Sequence, residues 1–140
     1  LQALQDSTGI AIAMDESLAT LDLEEVLGRR PVRRLVIKPT RTGGLLPALA
    51  LARRATGAGF ECIVTSSVES ACGVTAAAHL AAALDNPLAH GLATCECLAD
   101  DTGTPPAIAN GRLTLPDTPG VGFAPHAQVV FSDFAGPDRS

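Results

Sequence analysis

The 140-residue chain has no tryptophan and no tyrosine, and its only aromatic residues are four phenylalanines. Because large rings are nearly absent, the interior has to be filled by the aliphatic side chains that dominate its 46% hydrophobic content. Alanine, leucine, valine and isoleucine pack closely where helices lie against a sheet. The composition therefore favours one compact domain of helices on a sheet, and the chain is long enough to bury such a core.

Three further absences narrow the class of protein. Lysine and arginine number 10 against 15 acidic residues, and this net charge of -5 argues against nucleic acid as a partner. No apolar run approaches the roughly 18 residues of a membrane span. No basic, then apolar leader precedes the first predicted strand, and four cysteines without such a leader are typical of reduced thiols. We therefore expect a cytoplasmic protein that acts on neither membranes nor nucleic acids.

The chain has little methionine, and this bears on its completeness. Met14 is the only one, and the opening "LQALQDSTG" is typical of the last turns of a helix entering a turn. A natural start would rarely fall there. We expect a fragment, or one piece of a longer chain, that lacks its N-terminal portion.

Apolar runs alternate with helical patterns along the chain. Short apolar runs bounded by turn residues are typical of strands buried on both faces, and spaced leucines and alanines are typical of helices. The predicted strands are 9–17, 33–40, 60–70 and 89–100, and the predicted helices are 21–30, 43–59 and 71–84. This alternation predicts a parallel sheet with helical crossovers.

The spacing of the strand ends predicts the architecture. Asp15, Lys38, Ser66 and Thr94 follow one another at intervals of 23, 28 and 28 residues. Units of about 30 residues are what a (β/α)₈ barrel of about 250 residues divides into. We therefore expect about four parallel βα units, half of such a barrel, over residues 1–100. Residues 101–140 are expected to form a C-terminal extension with a short strand at "GRLTL" and a frayed end at "GPDRS".

Each predicted strand stops at a polar side chain. In parallel α/β folds the carboxyl ends of the strands form the site, because loops and helix N-termini converge there. Four polar ends in succession would line one mouth. The alternative, that strand ends simply meet solvent, stays open.

Four segments together resemble a known superfamily. The motifs "AMDESL", "LVIKPTRTGG", "VTSSVESACGVTAAAHLAAAL" and "HGL" occur in this order between residues 9 and 98. They resemble the C-terminal half of an enolase-superfamily barrel of the muconate-cycloisomerase type, strands five to eight. Within that superfamily the segment is most similar to the o-succinylbenzoate synthases, and "GRLTLPDTPGVGF" also resembles the ending of that group.

The resemblance implies roles for three charged residues. Lys38 matches the sixth-strand lysine that faces the substrate, where an ammonium beside an anionic intermediate is stabilised. Asp15 matches the third carboxylate ligand of Mg²⁺ at the end of the fifth strand. Glu16 would point away from Asp15 on an extended strand, so we expect it to orient the site or pair with a cation. The simpler alternatives are a lysine snorkelling to a rim and an N-capping or exposed aspartate.

The resemblance also implies contacts to the substrate. Ser66 and Ser67 match the seventh-strand serines that hold a substrate carboxylate, and Gly91 and Leu92 would offer backbone contacts after the eighth strand. The alternative for both serines is ordinary turn or N-cap chemistry before the alanine-rich helix.

The implied activity is that of a magnesium-dependent dehydratase of menaquinone biosynthesis, a carbon-oxygen lyase acting on a small carboxylate through an enediolate. The superfamily's Lys-x-Lys, its first two metal carboxylates and its capping domain lie upstream of the matching segment. We therefore expect the chain alone to be inactive and to need this N-terminal half as its partner.

Two other functions stay open. Glu96 lies where muconate cycloisomerases and mandelate-racemase relatives carry an acid, which keeps an isomerase or racemase in view. A non-catalytic α/β binding module belongs to another class, although the glycine-rich phosphate loop of such modules is absent. Cys95 and Cys97 do not have the spacing of a zinc site.

Overall fold

The computed structural model describes residues 1–127, so the frayed end expected at 136–140 lies outside the described residues. The α-helices are Gln2–Thr8 (α1), Leu23–Arg29 (α2), Pro39–Thr42 (α3), Leu45–Gly57 (α4) and Ala71–Ala83 (α5). The strands are Ala13–Met14 (β1), Arg34–Ile37 (β2), Glu61–Val64 (β3), Ile108–Ala109 (β4) and Arg112–Leu113 (β5). Two 3₁₀ turns cover Glu16–Ala19 and Thr94–Cys97. No helix among residues 1–127 is both long and apolar enough to cross a membrane.

The first three strands form one parallel sheet in the order β1-β2-β3. Arg34 pairs with Ala13 on one side and with Glu61 on the other, which fixes the register across the sheet. The strand and helix alternation predicted from the sequence is therefore confirmed for the first three strands, although each strand is shorter than its apolar run.

One face of the sheet carries the core. Leu35 and Ile37 of β2 are fully buried, and α4 packs Ala48, Ala52 and Ala55 with no exposed area. Alanine at these helical positions lets the helix approach the sheet closely. Phe60 is the aromatic member of this core. An aliphatic helix-on-sheet interior is what the scarcity of aromatic residues predicts.

The other face of the sheet is only half-buried. Val36 and Ile63 alternate with the core residues of their strands, so they point to the opposite side. Arg34 and Glu61 form an ion pair of 2.6 Å there, between residues that are partners in the sheet. In a closed barrel such a face points into the interior.

The fourth predicted strand is reduced to one parallel bridge, between Thr65 and Gly91. The preceding residues cannot run as a strand, because Pro87 has no amide to donate and because side chains occupy the edge of β3. The side-chain amide of Asn86 donates to the carbonyl of Cys62 at 2.9 Å. Nδ1 of His90 accepts from the backbone amide of Val64 at 3.0 Å. Residues 94–97 then form a 3₁₀ turn instead of extended chain.

The segment after residue 100 folds back on α5. The predicted short strand appears as β5, which pairs with β4 in a hairpin that turns at Asn110 and Gly111, both at positive φ. The carboxylate of Asp101 accepts from the amide of Ala71, the first residue of α5, at 2.9 Å. The division of the chain at residue 100 stays a prediction.

Candidate functional site

The carboxyl ends of β1 and β2 and the loop after β3 meet at one cavity of about 450 Å³. Asp15 follows β1, Lys38 follows β2 and Ser67 lies in the loop after β3. The strand ends therefore meet as the sequence pattern predicts. The full lining is Asp15, Glu16, Leu18, Ala19, Leu23, Val36, Lys38, Arg41, Thr42, Leu51 and Ser67.

Lys38 occupies the centre of the polar wall and is the only lysine in the sequence. Its Nζ lies 2.9 Å from Oδ1 of Asp15 and 2.7 Å from Oε1 of Glu16, and its side chain is 19% exposed. Leu35 and Ile37 point into the core, so alternation along β2 directs Val36 and Lys38 to the other side. The lysine therefore ends an apolar strand without entering the core.

The two carboxylates act on the protonation of Lys38. Its hydrogen bonds to Glu16 and then to Asp15 raise its pKa above the usual value of 10.5, although desolvation opposes them. The same hydrogen bond to Lys38 is the main cause that lowers the pKa of Glu16. Lys38 is thus held as an ammonium between two acids.

Glu16 faces the same ammonium as Asp15 because β1 ends at Met14. Asp15 leaves the strand, and the 3₁₀ turn Glu16–Ala19 folds the next side chain back toward β2. The alternation of an extended strand, which would have turned Glu16 away, does not operate here. Its pairing with a cation is as expected.

The glycine pair after Lys38 has a backbone role. Pro39 begins the short helix α3, and the hydroxyl of Thr42 donates to the carbonyl of Lys38 at 2.8 Å. Gly43 and Gly44 have φ values of 91° and 113°, which L side chains rarely adopt. They let the chain turn between α3 and α4.

The two serines after β3 have different surroundings. Ser66 is 5% exposed, and its hydroxyl lies 2.8 Å from that of Thr94 and 3.2 Å from the carbonyl of Gly91. Ser67 lines the cavity, and its amide donates to Oε1 of Glu69 at 2.9 Å. Of the pair, Ser67 is the one beside Lys38 and Asp15.

Gly91 and Leu92 lie along the edge of β3. The amide of Gly91 donates to the carbonyl of Val64, and its carbonyl accepts from the amide of Ser66. A Cβ on Gly91 would lie 2.9 Å from the side chain of Thr65, so this close approach requires glycine. Leu92 packs against the core.

Sequence reasoning placed Thr94 among the polar strand ends but assigned no specific contact in the site to Thr94 or Glu69. Both bond Ser67, Thr94 at its carbonyl and Glu69 at its amide. Thr94 was visible as the polar end of the fourth predicted strand, 28 residues after Ser66. The sequence around Glu69 offers only the motif "SSVES", which is ordinarily interpreted as a cap of the helix that follows.

The donor set suits part of a magnesium site. Asp15 offers a carboxylate at the cavity, and hard cations such as Mg²⁺ take carboxylate oxygens. Within residues 1–127 no group of three or more His, Cys, Asp or Glu side chains could hold a metal ion. Asp15 therefore fits as a single carboxylate ligand, and residues 1–127 do not supply a complete ligand set.

Comparisons with known proteins identify the family and the fold. Residues 1–129 match the family described as "Enolase C-terminal domain-like". The o-succinylbenzoate synthase of Yersinia pseudotuberculosis (strain YPIII) is 41% identical over 91 residues, which are 65% of this chain and 28% of that protein. The chain thus spans less than a third of the length of this curated relative.

Two solved structures share the fold. The N-succinyl Arg/Lys racemase from Bacillus cereus superposes with a TM-score of 0.77 at 25% identity, over 89% of this chain and 34% of that one. The muconate lactonizing enzyme from Pseudomonas putida superposes with a TM-score of 0.75 at 24% identity, over 89% and 36% of the two chains. The chain therefore belongs to the enolase C-terminal domain-like family, and its α/β fold is that of the C-terminal part of an enolase-superfamily barrel.

Proposed function

We propose that the full-length protein is an o-succinylbenzoate synthase, a magnesium-dependent lyase of menaquinone biosynthesis in the cytoplasm. It would dehydrate a succinyl-hydroxy-cyclohexadiene carboxylate to o-succinylbenzoate. The observation that carries this proposal is the ammonium of Lys38, held by Asp15 and Glu16 at the wall of the cavity that Ser67 also lines. The 41% identity to a synthase over this same segment supports the choice within the superfamily.

Lys38 would stabilise the negative charge that develops on the substrate. Loss of a proton beside a carboxylate produces an enediolate with two negative charges, which needs strong stabilisation. The raised pKa keeps Lys38 charged at neutral pH, and its two carboxylate partners fix its position before the substrate arrives. An ammonium that is already in place loses little free energy to reorganisation during the reaction.

Asp15 would hold Mg²⁺ together with acids from the N-terminal half. When bound, Mg²⁺ supplies positive charge at the carboxylate oxygens of the substrate. Since both oxygens of Asp15 lie within about 3 Å of Lys38 Nζ, binding of the metal would leave Glu16 as the carboxylate that keeps Lys38 oriented. In this proposal Glu16 orients Lys38 and is not itself a ligand of Mg²⁺.

The remaining lining suits a small carbocyclic acid. Leu18, Leu23 and Leu51 contribute apolar side chains to the lining beside the charged groups. A cavity of about 450 Å³ lies within the usual range for small-molecule sites. In this proposal the ring packs on the leucines, and Ser67, with Ser66 behind it and the backbone of Gly91 and Leu92 alongside, holds a carboxylate.

The second candidate is an isomerase or racemase of the same superfamily, which the superposition on the Bacillus cereus racemase favours. A panel of substrates distinguishes the two. The full-length protein with Mg²⁺ is expected to convert the hydroxy-cyclohexadiene carboxylate to the aromatic product faster than it racemises N-succinyl amino acids or lactonises muconate. Faster turnover of either other substrate would transfer the assignment to the isomerase.

The metal role of Asp15 has its own test. Asp15→Asn in the full-length protein is expected to weaken Mg²⁺ binding in calorimetric titration, because an amide carries no charge. Glu25→Gln, on α2 and paired with Arg29, removes an acid that does not line the cavity and serves as the control. Equal Mg²⁺ affinity in Asp15→Asn and Glu25→Gln would refute the ligand assignment.

A further inference from the structure

Side chains of two other residues form hydrogen bonds with the backbone amide and the backbone carbonyl of Ser67. Its amide donates to Oε1 of Glu69 at 2.9 Å, and its carbonyl accepts from the hydroxyl of Thr94 at 2.5 Å. The hydroxyl of Thr40 donates to the same Oε1 of Glu69 at 3.0 Å. Helix α3, the loop after β3 and the turn at residue 94 are thereby joined around Ser67.

The number of hydroxyl protons determines which group donates in the contact between Ser66 and Thr94. A hydroxyl has one proton to donate, and that of Thr94 is directed to the carbonyl of Ser67. In the 2.8 Å contact between Ser66 and Thr94 the serine is therefore the donor, so its proton is not available to the carbonyl of Gly91 at 3.2 Å, which accepts from the amide of Ser66 instead. The buried Ser66 thus orients Thr94, and Thr94 orients the peptide of Ser67.

The Glu69 side depends on a glycine in α5. A Cβ built on Gly73 would lie 2.7 Å from Oε2 of Glu69 and 3.1 Å from its Cβ, both too close. A side chain at residue 73 would therefore require the carboxylate of Glu69 to shift from this position on the first turn of α5. Gly73 otherwise lies inside a helix, where glycine costs about 1 kcal/mol relative to alanine.

We propose that Thr94 and Glu69 are positioning residues that form a clamp on Ser67 and fix its hydroxyl at the cavity wall, where it receives a carboxylate of the substrate. This inference rests on the proposed function, since Ser67 is the serine that lines the cavity with Lys38 and Asp15. The clamp acts on binding of the substrate and not on the charge that develops later, so its loss changes KM more than kcat.

The test compares four variants of the full-length enzyme. Thr94→Val removes the hydroxyl and keeps the shape, and Thr94→Ser restores the hydroxyl. Gly73→Ala displaces the carboxylate of Glu69 while it favours the helix, so a rise in KM cannot come from a weaker α5. Thr8→Val, in α1, removes a hydroxyl that donates to the carbonyl of Leu4 at 2.8 Å away from the cavity, and is the control.

We expect KM to rise by about two- to tenfold in Thr94→Val and in Gly73→Ala, the effect of one lost hydrogen bond, with kcat nearly unchanged. Thr94→Ser and Thr8→Val should retain the KM of the wild type. An unchanged KM in Thr94→Val or in Gly73→Ala overturns the clamp. The clamp is also overturned if KM rises as much in Thr94→Ser as in Thr94→Val. An equal rise of KM in the control Thr8→Val overturns it too.

A second measurement separates the clamp from the proposed function. Amide hydrogen exchange of residues 65–70 in the 140-residue chain needs no turnover. Faster exchange of the Ser67 amide in Thr94→Val than in Thr8→Val supports the clamp even if the full-length wild type proves inactive on the proposed substrate. Equal exchange in the two variants overturns the clamp whatever the enzyme's substrate is.

Discussion

At the scale of single residues, Lys38 shows why some side chains could be placed from the sequence and others could not. Its position on the rim follows from two rules, alternation along a strand and the convergence of strand ends in a parallel sheet. Glu16 did not follow the alternation rule, because β1 stops at Met14 and a 3₁₀ turn redirects the side chain of Glu16. Packing of the whole sheet decides at which residue of an apolar run the strand ends. A single sequence does not reveal this packing.

The protonation of Lys38 can be measured directly, because it is the only lysine. Reductive ¹³C-methylation labels Lys38 and the N-terminal amine alone, and NMR titration then gives the pKa. We expect a pKa above 10.5 in the wild type and a lower one in Glu16→Gln, since the hydrogen bond that Lys38 donates to Glu16 is the largest cause of the increase. Glu25→Gln should leave the pKa unchanged. A Glu16→Gln value equal to that of the wild type would contradict the ion pair.

At the scale of elements, the edge of β3 explains why the fourth strand could not be predicted. Its outward backbone groups are satisfied partly by the side chains of Asn86 and His90 and partly by the backbone of Gly91. Strands are predicted from the alternation of apolar and polar residues along the chain. Side chains that bond a sheet edge in place of a strand do not produce this alternation. The other three strands were predictable because they pair through the main chain.

The contact of His90 makes this edge sensitive to acid. Nδ1 of His90 accepts a hydrogen bond from Val64, so His90 is neutral there, and burial lowers its pKa below 6.5. Because the pKa of His90 is lower in the folded state than in the unfolded state, neutral His90 contributes its full stability at pH values above the unfolded-state pKa. This contribution is lost as the pH falls through the folded-state pKa. We expect the free energy of unfolding to fall below pH 6.5, by at most about 1.4 kcal/mol per pH unit for this one group.

Urea unfolding at fixed protein concentration measures this dependence. His90→Asn, which does not titrate, should show a weaker fall between pH 7 and pH 5 than the wild type. His126→Gln removes an exposed histidine and should behave as the wild type does. Identical pH profiles for His90→Asn and the wild type would refute the assignment.

The N-terminus of α5 depends on a residue 30 positions away. Ser70 makes no side-chain cap there, and Asp101 bonds the amide of Ala71 instead. No local sequence signal could have revealed this cap, because it forms only when the segment after residue 100 folds back. Desolvation alone would raise the pKa of Asp101, but its hydrogen bonds from Ala71 and Thr102 together lower it below 3.8.

Asp101→Asn is expected to destabilise the protein at neutral pH by about 0.3–1 kcal/mol, the value of a negative charge at a helix N-terminus. Because the folded pKa is lowered, this difference should be present above pH 3.8 and be lost as the pH falls below it. Asp100→Asn changes an exposed neighbour and is the control. Thermal unfolding at pH 7 and pH 3 measures both, and a pH-independent difference would contradict the charge role.

At the scale of the whole molecule, the sheet has one sealed edge and one open edge. Residues 86–91 cover β3, whereas within the described residues β1 has a strand partner on one side only. The face with Val36 and Ile63 is half-buried as well. The chain spans 28% of its curated relative, and these surfaces agree with our proposal that an N-terminal half completes the sheet.

We expect the isolated 140-residue chain to self-associate, because open strand edges pair with other chains. Sedimentation velocity at micromolar concentration should show species larger than 14.3 kDa. Co-expression with the N-terminal half should shift the material to one species of the combined mass. A single 14.3 kDa species that unfolds cooperatively would contradict this expectation.

The central claim is that Lys38 stabilises the charge formed during dehydration by the full-length protein. The most direct test is turnover of the succinyl-hydroxy-cyclohexadiene carboxylate to o-succinylbenzoate at saturating Mg²⁺, for the wild type and Lys38→Ala. Arg29→Ala removes a surface cation that is also paired with a carboxylate and is the control. We predict product from the wild type and from Arg29→Ala, and a loss of about 10²–10³ in kcat for Lys38→Ala with Mg²⁺ affinity unchanged. Absence of product from the wild type, or near wild-type turnover in Lys38→Ala, would contradict the account.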